Sequence, residues 1–109
     1  MKGQWTNIYS GDLPLKSWWV DSGNECEYVS IVLPEVFGIN NWIRNFSEKL
    51  AEQNVPVLAL PLYGRTAPNL DLGYGEEDLK LGRHHKNLTT LKNIIEDVSA
   101  AINWVQEKY

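Results

Sequence analysis

The chain has 109 residues, room for one small domain, and its 43% hydrophobic and 22% charged content is that of a globular protein, not of a disordered or low-complexity segment. A formal net charge of −4 and a pI of about 5.1 oppose nucleic acid or an anionic membrane as partner, because both need a basic face. No apolar run approaches a membrane span, the start MKGQWTNIYS lacks a signal-peptide core, and the single cysteine, Cys26, cannot form an internal disulfide, so a reducing, cytoplasmic setting is expected.

Residues 4–10 are rich in β-prone side chains and end at the turn signal Ser10-Gly11-Asp12. Residues 16–21 carry Trp18, Trp19 and Val20 and precede a second turn, Ser22-Gly23-Asn24, so residues 1–27 are expected to form a short antiparallel hairpin. Residues 29–33 are then almost continuously apolar, as a parallel strand buried on both faces would be. Asn40 or Asn41 can cap a following helix, with Ile43, Phe46 and Leu50 facing the core, Trp42 widening that stripe, and Arg44, Glu48 and Glu52 opposite. Asn54 suits the left-handed residue that ends a helix.

A second apolar run at 55–60, with Pro56 tolerated at its start, completes a βαβ unit over residues 28–60. Residues 61–86 read as a loop too long to be a simple connection, and ordered loops of that length usually serve a site. The last element, residues 87–108, is an amphipathic helix. Leu88, Leu91, Ile94, Ile95, Val98, Ala101, Ile102 and Val105 mark its apolar face, and Lys92, Glu96, Asp97, Asn103 and Gln106 mark the other.

An apolar helix face followed by no further strand, with a hairpin and two parallel strands before it, leaves edges and faces uncovered. The pattern is that of the first half of a larger α/β domain. It implies an exposed apolar edge on the second parallel strand and an unpaired face on the last helix.

In open α/β sheets the ligand site lies beyond the carboxyl ends of the parallel strands. Glu35 follows the first such strand, and Tyr63, Gly64 and Arg65 follow the second, so the two loops should converge on one crevice. Glu35 at this position can favour the helix N-terminus electrostatically or take part in chemistry. Arg65 can bind a substrate carboxylate bidentately or pair locally. Lys80 and Arg83 can anchor an acidic substrate or answer Glu76, Glu77 and Asp78.

His84-His85 lacks companions at ligand spacing, so no metal is expected. No cofactor is expected either, since no Gly-rich phosphate loop follows either strand, and no G-x-S-x-G nucleophile elbow occurs. Cys26 precedes the first parallel strand, at the end away from the crevice, and is a poor nucleophile candidate.

The stretch LPEVFGINNWIRNFSEKLAEQNVPVLALPLYGR resembles the opening half of the dienelactone hydrolase family, within the α/β-hydrolase fold. Members share a Glu-apolar-Phe-Gly-apolar-Asn stretch, a helix, an apolar strand and a Leu-Tyr-x-Arg turn. The later DLGYGEEDLKLGRHHKNLTT is also similar to loops of that family. One departure is Leu60-Pro61, where members often have Pro-Asp before the Leu-Tyr pair.

The resemblance implies a single domain, three-layered α/β/α when complete, of which residues 1–109 are the N-terminal part. It implies hydrolysis of lactone or ester bonds by a Cys-His-Asp triad whose residues lie beyond this chain, so that the chain alone would be inactive. Glu35 would then assist formation of the cysteine thiolate, the Val36 backbone N–H would serve the oxyanion hole, and Phe37 would line the pocket. Tyr63 and Arg65 would stand on the substrate side, and Arg83 or Lys80 would meet a substrate carboxylate. The implied partners are a small, possibly acidic lactone or ester and the protein's own C-terminal half, or a second copy covering the open sheet.

A reading of another class is a self-sufficient, non-catalytic binding or interaction module that keeps half of such a fold. A stable monomer with a cooperative melt would favour it, and aggregation or molten behaviour would favour the half-domain.

Overall fold

A computed structural model of the protein describes residues 1–23 and 26–109. Asn24 of the expected 22–24 turn lies outside the described residues. Strands β1 (Gln4–Ser10) and β2 (Leu13–Val20) form the hairpin, joined through Gly11, whose φ of 62° makes the tight turn possible. Their register runs without interruption from Gln4 opposite Trp19 to Ser10 opposite Leu13.

Strand β3 (Ser30–Val32), helix α1 (Asn41–Ala51) and strand β4 (Val57–Ala59) form the expected parallel unit. Helices α2 (Glu76–Leu88) and α3 (Leu91–Lys108) follow.

The sheet order is β1-β2-β4-β3. Thus β4, not an edge as expected, is the inner strand, antiparallel to β2 and parallel to β3. The crossover through α1 carries the chain back toward the hairpin, which leaves β3 at one edge and β1 at the other. That position explains why Ser30, Ile31 and Val32 are only half-buried although their sequence reads as a strand covered on both faces.

Successive strand residues face opposite sides, and the two sides hold separate cores. On one, Ile8, Leu15, Trp19, Leu58 and Leu60 pack with Ala101, Val98 and Trp104 of α3. On the other, Val20 and Val57 pack with Ala51 and Leu50 of α1. Helix, sheet and helix therefore make the three layers expected of an α/β-hydrolase arrangement.

Three local expectations need correction. The first concerns α1, which turns Ser47 and Ala51 to the sheet and leaves Trp42 and Phe46 exposed, stacked on each other at 5.4 Å. Small residues let the helix approach closely. Arg44 and Glu48, assigned to solvent by periodicity, instead reach the hairpin: Arg44 lies over the Trp5 and Trp18 rings, and the Gly3 N–H donates to Glu48 at 2.7 Å.

The second is that 61–86 is not all loop, since residues from Glu76 onward are helical and the last helix begins at Leu91, capped by Thr90. The third is Asp97, placed on the outer face by its polarity but only 1% exposed, because Arg65 comes to meet it.

The expected left-handed residue after α1 is Asn54, at φ 64°. As expected, the last helix has an uncovered apolar face, with Leu91 72% and Ile95 57% exposed. No helix among the described residues is long and apolar enough to cross a membrane.

Candidate active site

The segment from 33 to 40 leaves the carboxyl end of β3 and enters α1. A turn closes it, with the Gly38 N–H donating to the Glu35 carbonyl at 3.2 Å. Gly38 has φ 77° and lies so close to the Leu70 carbonyl that any side chain would overlap it. The Asn40 side chain caps α1 by accepting from the Ile43 N–H at 3.1 Å. Its amide nitrogen meanwhile donates to the Leu72 carbonyl at 3.0 Å and to the Tyr74 hydroxyl at 3.1 Å.

The chain after β4 returns to brace this turn. The Leu72 N–H donates to the Phe37 carbonyl at 2.9 Å, and Gly38 forms a bridge with Asp71. Arg44 joins both segments by donating to the Ile39 carbonyl at 2.8 Å and to Asp71 at 3.1 Å. Helix α2 closes the remaining side, with Gly82 against the Val36 carbonyl. Residues 61–86, read from sequence as a loop, hold the structure that fixes the turn bearing Glu35.

These contacts leave a cleft of about 390 Å³, walled by Glu35, Phe37, Asn40, Trp42, Ile43 and Tyr74. Phe37 meets Tyr74 edge to face at 4.6 Å, so the two rings form one wall. Glu35 is exposed at the surface of this cleft. Tyr63 is buried nearby, and its hydroxyl is pushed above the ordinary tyrosine range, first by burial and second by the Glu35 carboxylate. The Leu60 N–H donates to the Val32 carbonyl at 3.0 Å, so the loops after the two parallel strands leave the sheet side by side, but Tyr63 does not line the cleft.

Arg65 goes elsewhere. It donates to Asp97 through Nη2 at 2.8 Å and Nε at 3.3 Å, to Glu96 at 3.1 Å and to the Ser10 hydroxyl at 3.3 Å. The two carboxylates, the Asp97 hydrogen bond foremost, hold its guanidinium above its ordinary range. Of the two uses left open for Arg65, local pairing is the one observed.

Lys80 is exposed and 3.6 Å from Glu77, one turn away. Arg83 is exposed on α2 next to the Gly82 contact. Neither lines the cleft. His85 shares a hydrogen bond with the Thr66 hydroxyl at 2.9 Å, and no cluster of metal-ligating side chains occurs among the described residues. Cys26 lies at the other end of β3, where its thiol donates to the Asn54 carbonyl at 2.7 Å.

Sequence reasoning missed Tyr74, Gly82 and the second role of Asn40. A signal for Tyr74 was present, an aromatic between glycines in Gly73-Tyr74-Gly75, but nothing local said which wall it would join.

An antiparallel hairpin leading into a parallel unit, with helices on both faces and a cleft at the carboxyl end of β3, is the arrangement of the α/β-hydrolases. The model of the dienelactone hydrolase family matches residues 19–109, and the chain belongs to that family. It is 36% identical over 78 residues to a Synechocystis sp. protein provisionally named a carboxymethylenebutenolidase, an overlap covering 72% of this chain and 32% of that one. Its fold is similar to the crystal structure of a provisionally named dienelactone hydrolase from Klebsiella pneumoniae, with a TM-score of 0.79 at 20% identity, over 96% of this chain and 43% of that one. The chain thus spans about a third of the curated relative and less than half of the solved one.

Proposed function

We propose that the intact protein hydrolyses carboxylic ester or lactone bonds of the carboxymethylenebutenolide type, and that this chain supplies one wall of the active site. The observation that carries this reading is Glu35, held at the carboxyl end of β3 on a turn braced from three sides, beside a cleft with an aromatic wall.

In this reading a cysteine from the rest of the family's length attacks the acyl carbon as thiolate. Glu35 takes up the thiol proton or holds the hydrogen bond that allows its loss. The Val36 backbone N–H donates to the oxyanion, which requires a fixed loop because such donors act only when already in place. Phe37 and Tyr74 bound the substrate's apolar body. Lys80 and Arg83 can reach a substrate carboxylate only by moving, since both are exposed outside the cleft. The chain alone lacks the nucleophile and is inactive.

The test is hydrolysis of an aryl acetate and of a dienelactone by this chain alone, by the chain mixed with its C-terminal half, and by both with Glu35→Gln. Activity only in the mixture, reduced at least ten-fold by the substitution, supports the proposal. Activity of the chain alone that Glu35→Gln abolishes overturns it.

A further inference from the structure

We infer that this protein pairs with a second copy of itself through β1, extending the sheet across a two-fold axis at Asn7. Strand β1 is the edge opposite β3 in the order β1-β2-β4-β3, so the surface is separate from the one the rest of the family's length would complete. An edge strand presents unpaired N–H and C=O groups, and proteins that remain single usually blunt such edges with lysine, proline or a bulge.

None of these devices occurs in β1. Its seven residues, QWTNIYS, carry no charge and no proline, in a chain of net charge −4, and they pair with β2 without a bulge. At seven residues it is also longer than the three-residue edge β3.

The sequence of β1 is complementary to itself when reversed about Asn7. Trp5 then stands opposite Tyr9 of the second copy, Gln4 opposite Ser10, and Thr6 opposite Ile8. Aromatic meets aromatic, amide meets hydroxyl, and no like charges are opposed. Trp5 and Tyr9 are 42% and 60% exposed on the same face of the strand beside an open edge, Trp5 also meeting Trp18, Lys16 and Arg44. An open groove of about 760 Å³ between β1 and α3, walled in part by Ile8, Tyr9, Ala100 and Trp104, lies against the same strand and adds apolar area to a two-fold contact. Such self-complementary contacts are how closed dimers form.

The experiment uses the chain with Cys26→Ser, so that an introduced thiol is the sole one. Asn7→Cys places two thiols opposite each other across the axis, where directly opposed Cα atoms lie about 4.5–5.5 Å apart, within disulfide reach. Thr6→Cys, opposite Ile8 in this register, is the control. Mild oxidation should cross-link Asn7→Cys into a dimer at least ten-fold faster than Thr6→Cys. In sedimentation equilibrium, Asn7→Lys should weaken association at least ten-fold, while Ile31→Lys on β3 should leave a dimer.

Equal cross-linking rates overturn the inference, as does a monomer at every concentration. So does association that survives Asn7→Lys and disappears with Ile31→Lys, which would place the contact on the β3 edge. No readout depends on catalysis, so the hydrolase reading stands or falls separately.

Discussion

Gly82 of α2 rests directly on the carbonyl of Val36, with no room between them for a methyl group. The contact links a helix of polar sequence to the turn that carries Glu35. Two effects of Gly82→Ala oppose each other. Helix propensity alone favours alanine by about 0.5–1 kcal/mol. Forcing a methyl into a filled space costs about 1–3 kcal/mol, and here the obstacle is backbone, which cannot turn aside as a side chain does. The steric effect should win, and urea unfolding should show a net loss of stability. Hydrogen exchange should locate the change in the amides of residues 35–38 and of α2. A stabilised variant would mean that α2 does not brace this turn.

Asn40 performs two tasks with two ends of one amide, and substitution can separate them. Asn40→Asp keeps an oxygen for the Ile43 N–H but loses the donors to Leu72 and Tyr74. Asn40→Ala loses everything, including a cap worth about 0.5–2 kcal/mol. Circular dichroism and thermal unfolding should therefore show α1 nearly unchanged in Asn40→Asp and weakened in Asn40→Ala. The chemical shift of the Tyr74 ring should move in both. If Tyr74 is unaffected in Asn40→Asp, the cleft wall is held by the Phe37 contact alone.

What could be read from sequence followed physical periodicity. The hairpin, the parallel unit and the last helix announce themselves through alternation, apolar runs and a 3.6-residue repeat. Helix α2 did not, because its two ends are polar and Gly82 interrupts it. Its acidic first turn, Glu76, Glu77 and Asp78, and its basic last turn, His85 and Lys86, match the helix dipole and were the available signal. The exposed Phe46 and the buried Asp97 show the limit of the apolar-stripe rule: small Ser47 allows close packing, and a distant arginine can draw a carboxylate inside. At the site, Glu35 was legible from its place after a strand. Its surroundings were not, because Tyr74, Asp71 and Gly82 reach it only through the path of the returning chain.

Arg65 should prove a stability residue and not a substrate anchor. Asp97 is 1% exposed and receives two of its hydrogen bonds, so Arg65→Ala leaves a buried carboxylate without its cation. Breaking such a pair from one side costs on the order of 3 kcal/mol. Arg65→Lys keeps the charge but not the fork and should fall between the two. Asp97→Asn in the Arg65→Ala background should recover part of the loss, because an amide needs no counterion. Urea unfolding of the single and double variants measures the coupling. If the proposed hydrolase is reconstituted, the same substitutions should leave KM unchanged, and a large KM effect without a stability effect would return Arg65 to the substrate side.

Tyr63 and Glu35 predict a dependence on alkaline pH. The folded hydroxyl of Tyr63 titrates above the ordinary tyrosine value of 10.0, so the folded state holds the phenolic proton longer than the unfolded chain does. This stabilising contribution is complete below pH 10 and is lost as pH rises from there through the folded pKa. Its larger cause is burial and the smaller is the carboxylate, so Glu35→Gln should lower the Tyr63 pKa only part of the way back. The phenolate absorbance difference between the protein and Tyr63→Phe, followed from pH 8 to 12, isolates this one tyrosine. Repeating it in Glu35→Gln reads the carboxylate's share. An unchanged Tyr63 titration in Glu35→Gln would mean that the Glu35 carboxylate does not act on Tyr63 in solution.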